Sequence, residues 1–199
     1  VAEDDRTQLW LVRHGATEWS RDGRHTSTTD LDLLPQGRED AEVIARRLEG
    51  EHFDLVLSSP RLRARETARL AGFDSPEIDP DLVEWDYGPG EGLTSVQIGE
   101  LVPGWRIWTH GAPDLDRDGM APGESRQQVE ERLGRVVARA KASGLPRILV
   151  FGHGHALRAL AMLWIEQPVP LAASFPFVTG ALGILGWEKD SPALVRWNS

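Results

Sequence analysis

Three short segments, far apart along the chain, carry side chains suited to holding and attacking a dense anion. LWLVRHGATEW runs four apolar residues straight into Arg13 and His14. SSPRLRARETA places Arg61, Arg63 and Arg65 after two serines, and FGHGHALR places His153 and His155 after an apolar run. Arginine presents a planar fork of N–H donors that matches two phosphate oxygens at once. Histidine keeps a useful neutral fraction near pH 7, so a ring nitrogen can attack phosphorus. Transfer of a phosphoryl group spreads negative charge over its equatorial oxygens, so fixed cations supply most of the catalysis. The leaving oxygen also needs a proton. LVEWDYGPGEG offers Glu84, Asp86 and Glu91 for that task, and spacing leaves all three as candidates.

For these groups to meet, the chain must deliver them to one edge of one sheet. Residues 8–12 read as a buried strand, 55–57 as a second and 147–151 as a third, while ALGILGW and ALVRW read as two closing strands. Between them, residues 37–48 carry apolar or small side chains at 41, 44, 45 and 48, one face of a helix. Pro60 is expected in the first turn of a helix through RLRARETARL, with Gly72 as its stop. Ser125 and Gln128 form a capping-box pattern that opens a helix to Lys141, with Leu133, Val136, Val137 and Ala140 as its buried stripe. HALRALAMLWIE reads as a further helix. Strands alternating with helices predict an α/β fold, a three-layer α/β/α sandwich around a mostly parallel central sheet. Ligands of such sheets bind outside the carboxyl ends of the strands. Arg13 and His14, then Ser58, Ser59 and the arginines, then His153 all fall just past a strand end. Gly15 is expected to permit the turn that leaves His14 facing this edge.

The bulk composition excludes several classes. A chain of 199 residues suits a single domain, 1–199, with residues 1–7 expected as a loose N-terminal tail and 112–123 as a loop insertion. No apolar run approaches the roughly 20 residues needed to cross a bilayer. VAEDDRTQ has neither the basic nor the apolar region of a signal peptide. The chain contains no cysteine, which removes disulfides, thiolate zinc sites and a cysteine nucleophile, and fits a cytoplasmic protein. The net charge of −9 opposes non-specific binding to nucleic acid or anionic membrane, so a site for an anion must gather its positive charge locally.

RHGATEW, SPRLRARETA, LVEWDYGPGEGLT and FGHGHALR occur in the order and spacing of the histidine phosphatase superfamily, also called phosphoglycerate-mutase-like, which the chain resembles over residues 9–160. The likeness is to its small acid phosphatase and sedoheptulose-bisphosphatase-like members, through EWDYG, EGLT, WRIWTHG and GES. The resemblance implies a phosphoglycerate-mutase-like fold and a metal-independent phosphomonoesterase without cofactor. His14 is then the nucleophile that becomes phosphohistidine, Arg13 and Arg63 bind phosphate, Glu84 is the proton donor, and His153 stabilises the phosphoryl group. Arg61 and Arg65 become surface residues. Ser20, Thr26 and Ser27 align with the substrate-contacting segment, Ser27 standing where the family usually has glycine. Gly154, His155 and Trp105 complete the expected substrate contacts.

The family divides between mutases and phosphatases. The mutases carry extra helical material and a paired-arginine patch between the glutamate motif and the last histidine. Here that region is short, with Arg106 the lone basic residue before Arg117, flanked by Trp105 and Trp108. Water is therefore the expected acceptor, and a small phosphorylated metabolite (a sugar phosphate, sugar bisphosphate or phospho-acid) the expected partner. Mutase-type transfer and a non-catalytic phosphate-binding role on the same fold are the alternatives, and a homodimer is the assembly to be tested. His25, His52 and His110 read as structural. The His153–His155 spacing is a poor metal site because i and i+2 diverge on a helix. DLDRDG at 114–119 matches the first half of an EF-hand loop, but the twelfth position is Ser125 and Pro122 interrupts it. A solvated acidic loop is the expectation there, with no metal.

Overall fold

The computed structural model describes residues 6–117 and 119–199. Six strands form one sheet: β1 (Gln8–Arg13), β2 (Leu55–Ser58), β3 (Glu77–Ile78), β4 (Arg147–Gly152), β5 (Leu182–Glu188) and β6 (Ser191–Arg196), in the order β3-β2-β4-β1-β5-β6. The pairs β1–β4, β2–β4 and β2–β3 are parallel, while β5 runs antiparallel to β1 and to β6. Strand side chains alternate between two apolar cores. Leu9, Leu11, Leu57, Ile148 and Val150 face one side, and Trp10, Val12, Leu149 and Phe151 the other. Such near-continuous apolar strands mark a parallel sheet covered on both faces.

Helices α2 (Pro35–Leu48) and α3 (Leu62–Leu70) cover one face through Ile44, Leu48 and Ala68. Helices α6 (Arg126–Ala142) and α7 (Gly154–Trp164) cover the other through Val129, Leu133, Val136, Leu157 and Leu160. Short helices α1 (Glu18–Arg21), α4 (Ser95–Leu101) and α5 (Ile107–His110) lie in the connections. The capping box at Ser125 is present: its side chain accepts from Gln128 N–H, and the Gln128 side chain accepts from the Ser125 N–H. Thr17 and Thr94 open α1 and α4 the same way.

Three expectations change. Pro60 lies outside α3, whose N-cap is Arg61, because the chain stays extended there (φ −68°, ψ 137°) before the helix begins. Thr7 is no part of a loose tail: it is buried, and its carbonyl accepts from Trp187 Nε1. Residues 1–5 of that expected tail lie outside the described residues. Gly15 is needed at the turn for lack of room and not for a left-handed conformation, since its φ is not positive. Its role is close approach: a Cβ there would sit 2.1 Å from the Gly37 carbonyl oxygen, and a Cβ on Gly37 would sit 2.2 Å from the Ala16 carbonyl oxygen. Two bare backbones cross where β1 ends, and this crossing locks the next residues against the start of α2.

Candidate active site

The strand order sets Ser59, His153 and Arg13–His14 side by side, because β4 lies between β2 and β1. Hydrogen bonds from His14 N–H to the Gly152 carbonyl and from Ser59 N–H to the Phe151 carbonyl extend the ladders past the strand ends. The loop after β1 is tied down on both sides. Gly15 N–H donates to Thr67 Oγ1, whose hydroxyl donates to the Arg63 carbonyl, and Ala16 N–H donates to Asp40 Oδ2. The nucleophile candidate is thus fastened to α2 and α3 by groups that no spacing pattern singled out.

His14 is buried, and its Nδ1 lies 2.8 Å from the Gly15 carbonyl oxygen. A carbonyl only accepts, so Nδ1 carries the proton and Nε2 presents a free lone pair. Burial first, then the Arg63 and Arg13 charges, hold the His14 pKa well below the ordinary histidine value. His153 is fully buried, with its ring centroid 5.3 Å from that of His14 and Nε2 2.7 Å from Ser59 Oγ. Burial, then Arg63, His14 and Arg13, push its pKa well down too. Ser59 Oγ already accepts from Arg61 N–H, so its hydroxyl hydrogen is assigned to Nε2, which leaves the proton of the neutral ring on Nδ1.

The two arginines are unusual in their partners. Arg63 is fully buried on α3 and donates to the carbonyls of Thr26, Ser27 and Thr29, while Arg13 donates to the Phe177 carbonyl. Among the described residues neither has a carboxylate within ion-pair distance. Burial draws both pKa values down, opposed by the Glu84 charge. Side-chain nitrogens that are buried without any hydrogen-bond partner include Arg13 Nε, Arg61 Nε, Arg63 Nε and His153 Nδ1. The remaining one, Arg126 Nε, lies 3.1 Å from a Glu130 oxygen on α6. Buried donors left unpaired are costly, and four on one sheet edge mark a place shaped for an anion.

Of the three acidic candidates, only Glu84 lines the cavity. Its Oε1 accepts from the N–H groups of Trp85 and Ala156, and its Oε2 from His155 N–H, so it caps the N-terminus of α7. Arg132, buried on α6, pairs with Glu124 at 2.7 Å and donates to the carbonyls of Asp81, Val83 and Glu84, holding the Glu84 segment from behind. Asp86 instead caps Gly88 N–H, and Glu91 accepts from Ser27 N–H, Ser27 Oγ and Thr29 N–H.

The cavity, about 190 Å³, is lined by Arg13, His14, Ser20, Thr26, Glu84, Gly154 and His155, together with His25, Arg24, Tyr87, Ser95 and Arg158. Arg63 and His153, both fully buried, are not among its lining residues; His153 reaches the site through its ring beside that of His14. A Cβ on Gly154 would stand 3.0 Å from Arg13 Cζ and crowd the guanidinium. Ser27 does not line the cavity: Glu91 engages both its N–H and its hydroxyl, while its carbonyl serves Arg63. Trp105 lines a neighbouring cavity of about 380 Å³ instead and donates its Nε1–H to the Gly111 carbonyl. Arg65 is exposed, but Arg61 is half-buried with a buried Nε and a bond to the Thr28 carbonyl, not a surface residue. His25, read as structural, is a wall of the cavity. Its signal was its place beside Thr26 in a substrate-contacting segment. Arg117 donates to the carbonyls of Pro89 and Glu91, so residues 112–117 pack onto the Glu91 turn. No cluster of His, Asp or Glu able to hold a metal occurs among the described residues, and Asp118 of the EF-hand-like stretch lies outside them. No helix among the described residues is long and apolar enough to cross a membrane.

The chain is similar along most of its length to known proteins. An acid phosphatase of Mycobacterium tuberculosis is 41% identical over 184 residues, covering 91% of this chain and 87% of that protein. Sedoheptulose 1,7-bisphosphatase of Saccharomyces cerevisiae is 36% identical over 186 residues, covering 77% of this chain and 66% of that protein. A solved structure of a Mycobacterium tuberculosis open reading frame superposes with a TM-score of 0.88 at 40% identity, covering 96% of this chain and 97% of the other. A family model matches residues 9–199, an interval that holds every residue of the cavity, and the chain belongs to the histidine phosphatase superfamily, branch 1.

Proposed function

We propose that the chain is a phosphatase that hydrolyses phosphomonoesters of small metabolites through a phosphohistidine on His14. The observation that carries this reading is a buried histidine whose Nε2 is left free, under the charges of Arg63 and Arg13, neither of which has a carboxylate partner among the described residues. His14 Nε2 attacks phosphorus while the bond to the ester oxygen breaks, and Glu84 gives its proton to that oxygen. Arg13, Arg63 and His153 Nδ1–H meet the charge on the equatorial oxygens. Water then attacks the phosphohistidine, passes a proton to Glu84, and releases inorganic phosphate and neutral His14. No step calls on a metal ion.

Mutase-type transfer is the weaker reading. Arg117 is spent on backbone carbonyls, and Arg106 borders the outer cavity, so no arginine pair faces the phosphate site from the short 94–123 segment. The test is hydrolysis of p-nitrophenyl phosphate in EDTA, with rapid quenching to trap a phosphoenzyme. Turnover should survive EDTA and fall by roughly a thousandfold or more in His14→Ala. Activity that persists in that variant would overturn the nucleophile assignment and, if it vanishes in EDTA, metal independence as well.

A further inference from the structure

His25 and His155 stand together at the mouth of the site, outside the group that handles phosphate. Their rings are nearly parallel, 16° apart, with centroids 5.9 Å from each other. Both line the inner cavity, and His155 with Ser95 also borders the outer one. The neighbours of each ring dictate its proton. His25 Nδ1 lies 2.8 Å from the Leu93 carbonyl, which only accepts, so Nδ1 carries the hydrogen and Nε2 is an acceptor. His155 Nδ1 lies 2.7 Å from the hydroxyl of buried Tyr87, whose one hydrogen bond among the described residues this is. A buried hydroxyl gives its proton to the acceptor it has, so His155 Nδ1 accepts and its Nε2 bears the hydrogen. Burial lowers both imidazole pKa values, so each ring stays neutral and the two opposite tautomers persist at neutral pH.

We propose that His25 Nε2 and His155 Nε2–H form a fixed acceptor–donor pair that reads adjacent hydroxyls on the leaving group, making phosphorylated polyols the substrate class. This rests on the phosphatase reading of the same site. An alkyl group of equal size leaves both nitrogens unpaired on binding, whereas a vicinal diol accepts from one and donates to the other. A site built to hydrogen-bond a hydroxyl rejects the analogue that lacks it. Tyr87 is a positioning residue in this scheme, acting through the tautomer of His155.

The experiment compares glycerol 3-phosphate with propyl phosphate, which differ only in two hydroxyls. The wild-type kcat/KM ratio should be roughly tenfold or more in favour of the glycerol ester. His25→Phe should bring that ratio near unity, and Tyr87→Phe should lower it while His155→Gln retains part of it. Because His25 is buried, a direct reading on the wild type stands beside the variants: the ¹⁵N resonances of labelled histidine should show His25 as the Nδ1–H tautomer and His155 as the Nε2–H tautomer. Equal hydrolysis of the two esters by the wild type, or the reverse tautomers, would overturn the pair while leaving the phosphatase reading intact. Failure to hydrolyse p-nitrophenyl phosphate or either ester would remove the phosphatase reading and the pair with it.

Discussion

Ser59 Oγ lies 2.7 Å from His153 Nε2, a contact that joins the end of β2 to the end of β4 directly beneath the phosphate site. It fixes which nitrogen of His153 carries the proton and therefore which one faces the substrate as a donor. Ser59→Ala should lower kcat/KM for p-nitrophenyl phosphate by about tenfold to a hundredfold, the cost of a misplaced or wrongly protonated group. Ser59→Thr should restore part of that loss. A Ser59→Ala enzyme with unchanged kinetics would show that the contact plays no part in turnover.

Glu84 donates a proton whose value depends on the leaving group. Glu84→Gln keeps the shape and loses the proton. The variant should lose far more activity on alkyl phosphates, whose oxygen departs poorly as an alkoxide, than on p-nitrophenyl phosphate, by about 10²-fold or more. Equal losses on both substrates would remove Glu84 from the acid role.

Four buried or half-buried histidines (His14, His25, His153 and His155) have pKa values pushed below the ordinary 6.5, burial being the largest cause in each. They bind fewer protons in the folded chain than in the unfolded one once the pH falls under that value. Their stability contribution is therefore whole above pH 6.5 and lost as the pH falls toward the folded pKa, at up to about 1.4 kcal/mol per pH unit for each histidine. Thermal melts should show Tm falling on acidification from pH 7 to 5, less steeply in His25→Phe. By the same sign, His14 remains neutral at mildly acid pH, so the acid limb of kcat/KM governed by that residue should lie below 6.5.

Half-buried Arg13 and fully buried Arg63 have no carboxylate partner among the described residues, so an anion that binds the folded chain relieves them. Phosphate or vanadate at about 100 times its Kd should stabilise the protein by roughly 2.7 kcal/mol. The shift in Tm should shrink in Arg63→Met even if that variant is the more stable one without ligand. An equal shift in the variant would place the anion elsewhere.

Gly15→Ala would press a methyl group into the Gly37 carbonyl at 2.1 Å, and both partners are backbone. Overpacking of this kind costs about 1–3 kcal/mol or more, and the displaced residue sits next to His14. Lower Tm together with lower kcat is the expected pair of results. A variant with normal Tm and kcat would mean the crossing tolerates a side chain.

The layers of the fold were readable because buried parallel strands are continuous apolar runs and the covering helices repeat with a helical period. His14, Arg63 and His153 were reachable because each follows a strand or opens a helix within a recognisable motif, whereas Glu84, in irregular chain between two 3-10 turns, was singled out by the motif alone. Spacing carried no trace of Asp40 or Arg132, and although Thr67 and Glu124 lie inside SPRLRARETA and GES, nothing there showed that they act by holding groups from distant segments. His25 had one signal, its place beside Thr26, but its contacts with the Leu93 carbonyl and the ring of His155 come from distant segments. Ser27 went the other way. Its position suggested the substrate, and a carboxylate 64 residues further on, Glu91, engages it instead.

The place of β1 between β4 and β5 also has a temporal side. The strand that bears the nucleophile has no ladder partner until residues 147–152 and 182–185 exist. During synthesis the reaction centre is therefore among the last parts of the chain to be closed, with Leu9, Trp10, Leu11 and Val12 exposed as an unpaired apolar strand in the meantime. Pairings of such sequence separation fold slowly and leave sticky edges on partly made chains. Ribosome-bound chains halted before β5 should bind holdase chaperones through this strand, and release should coincide with emergence of the closing hairpin.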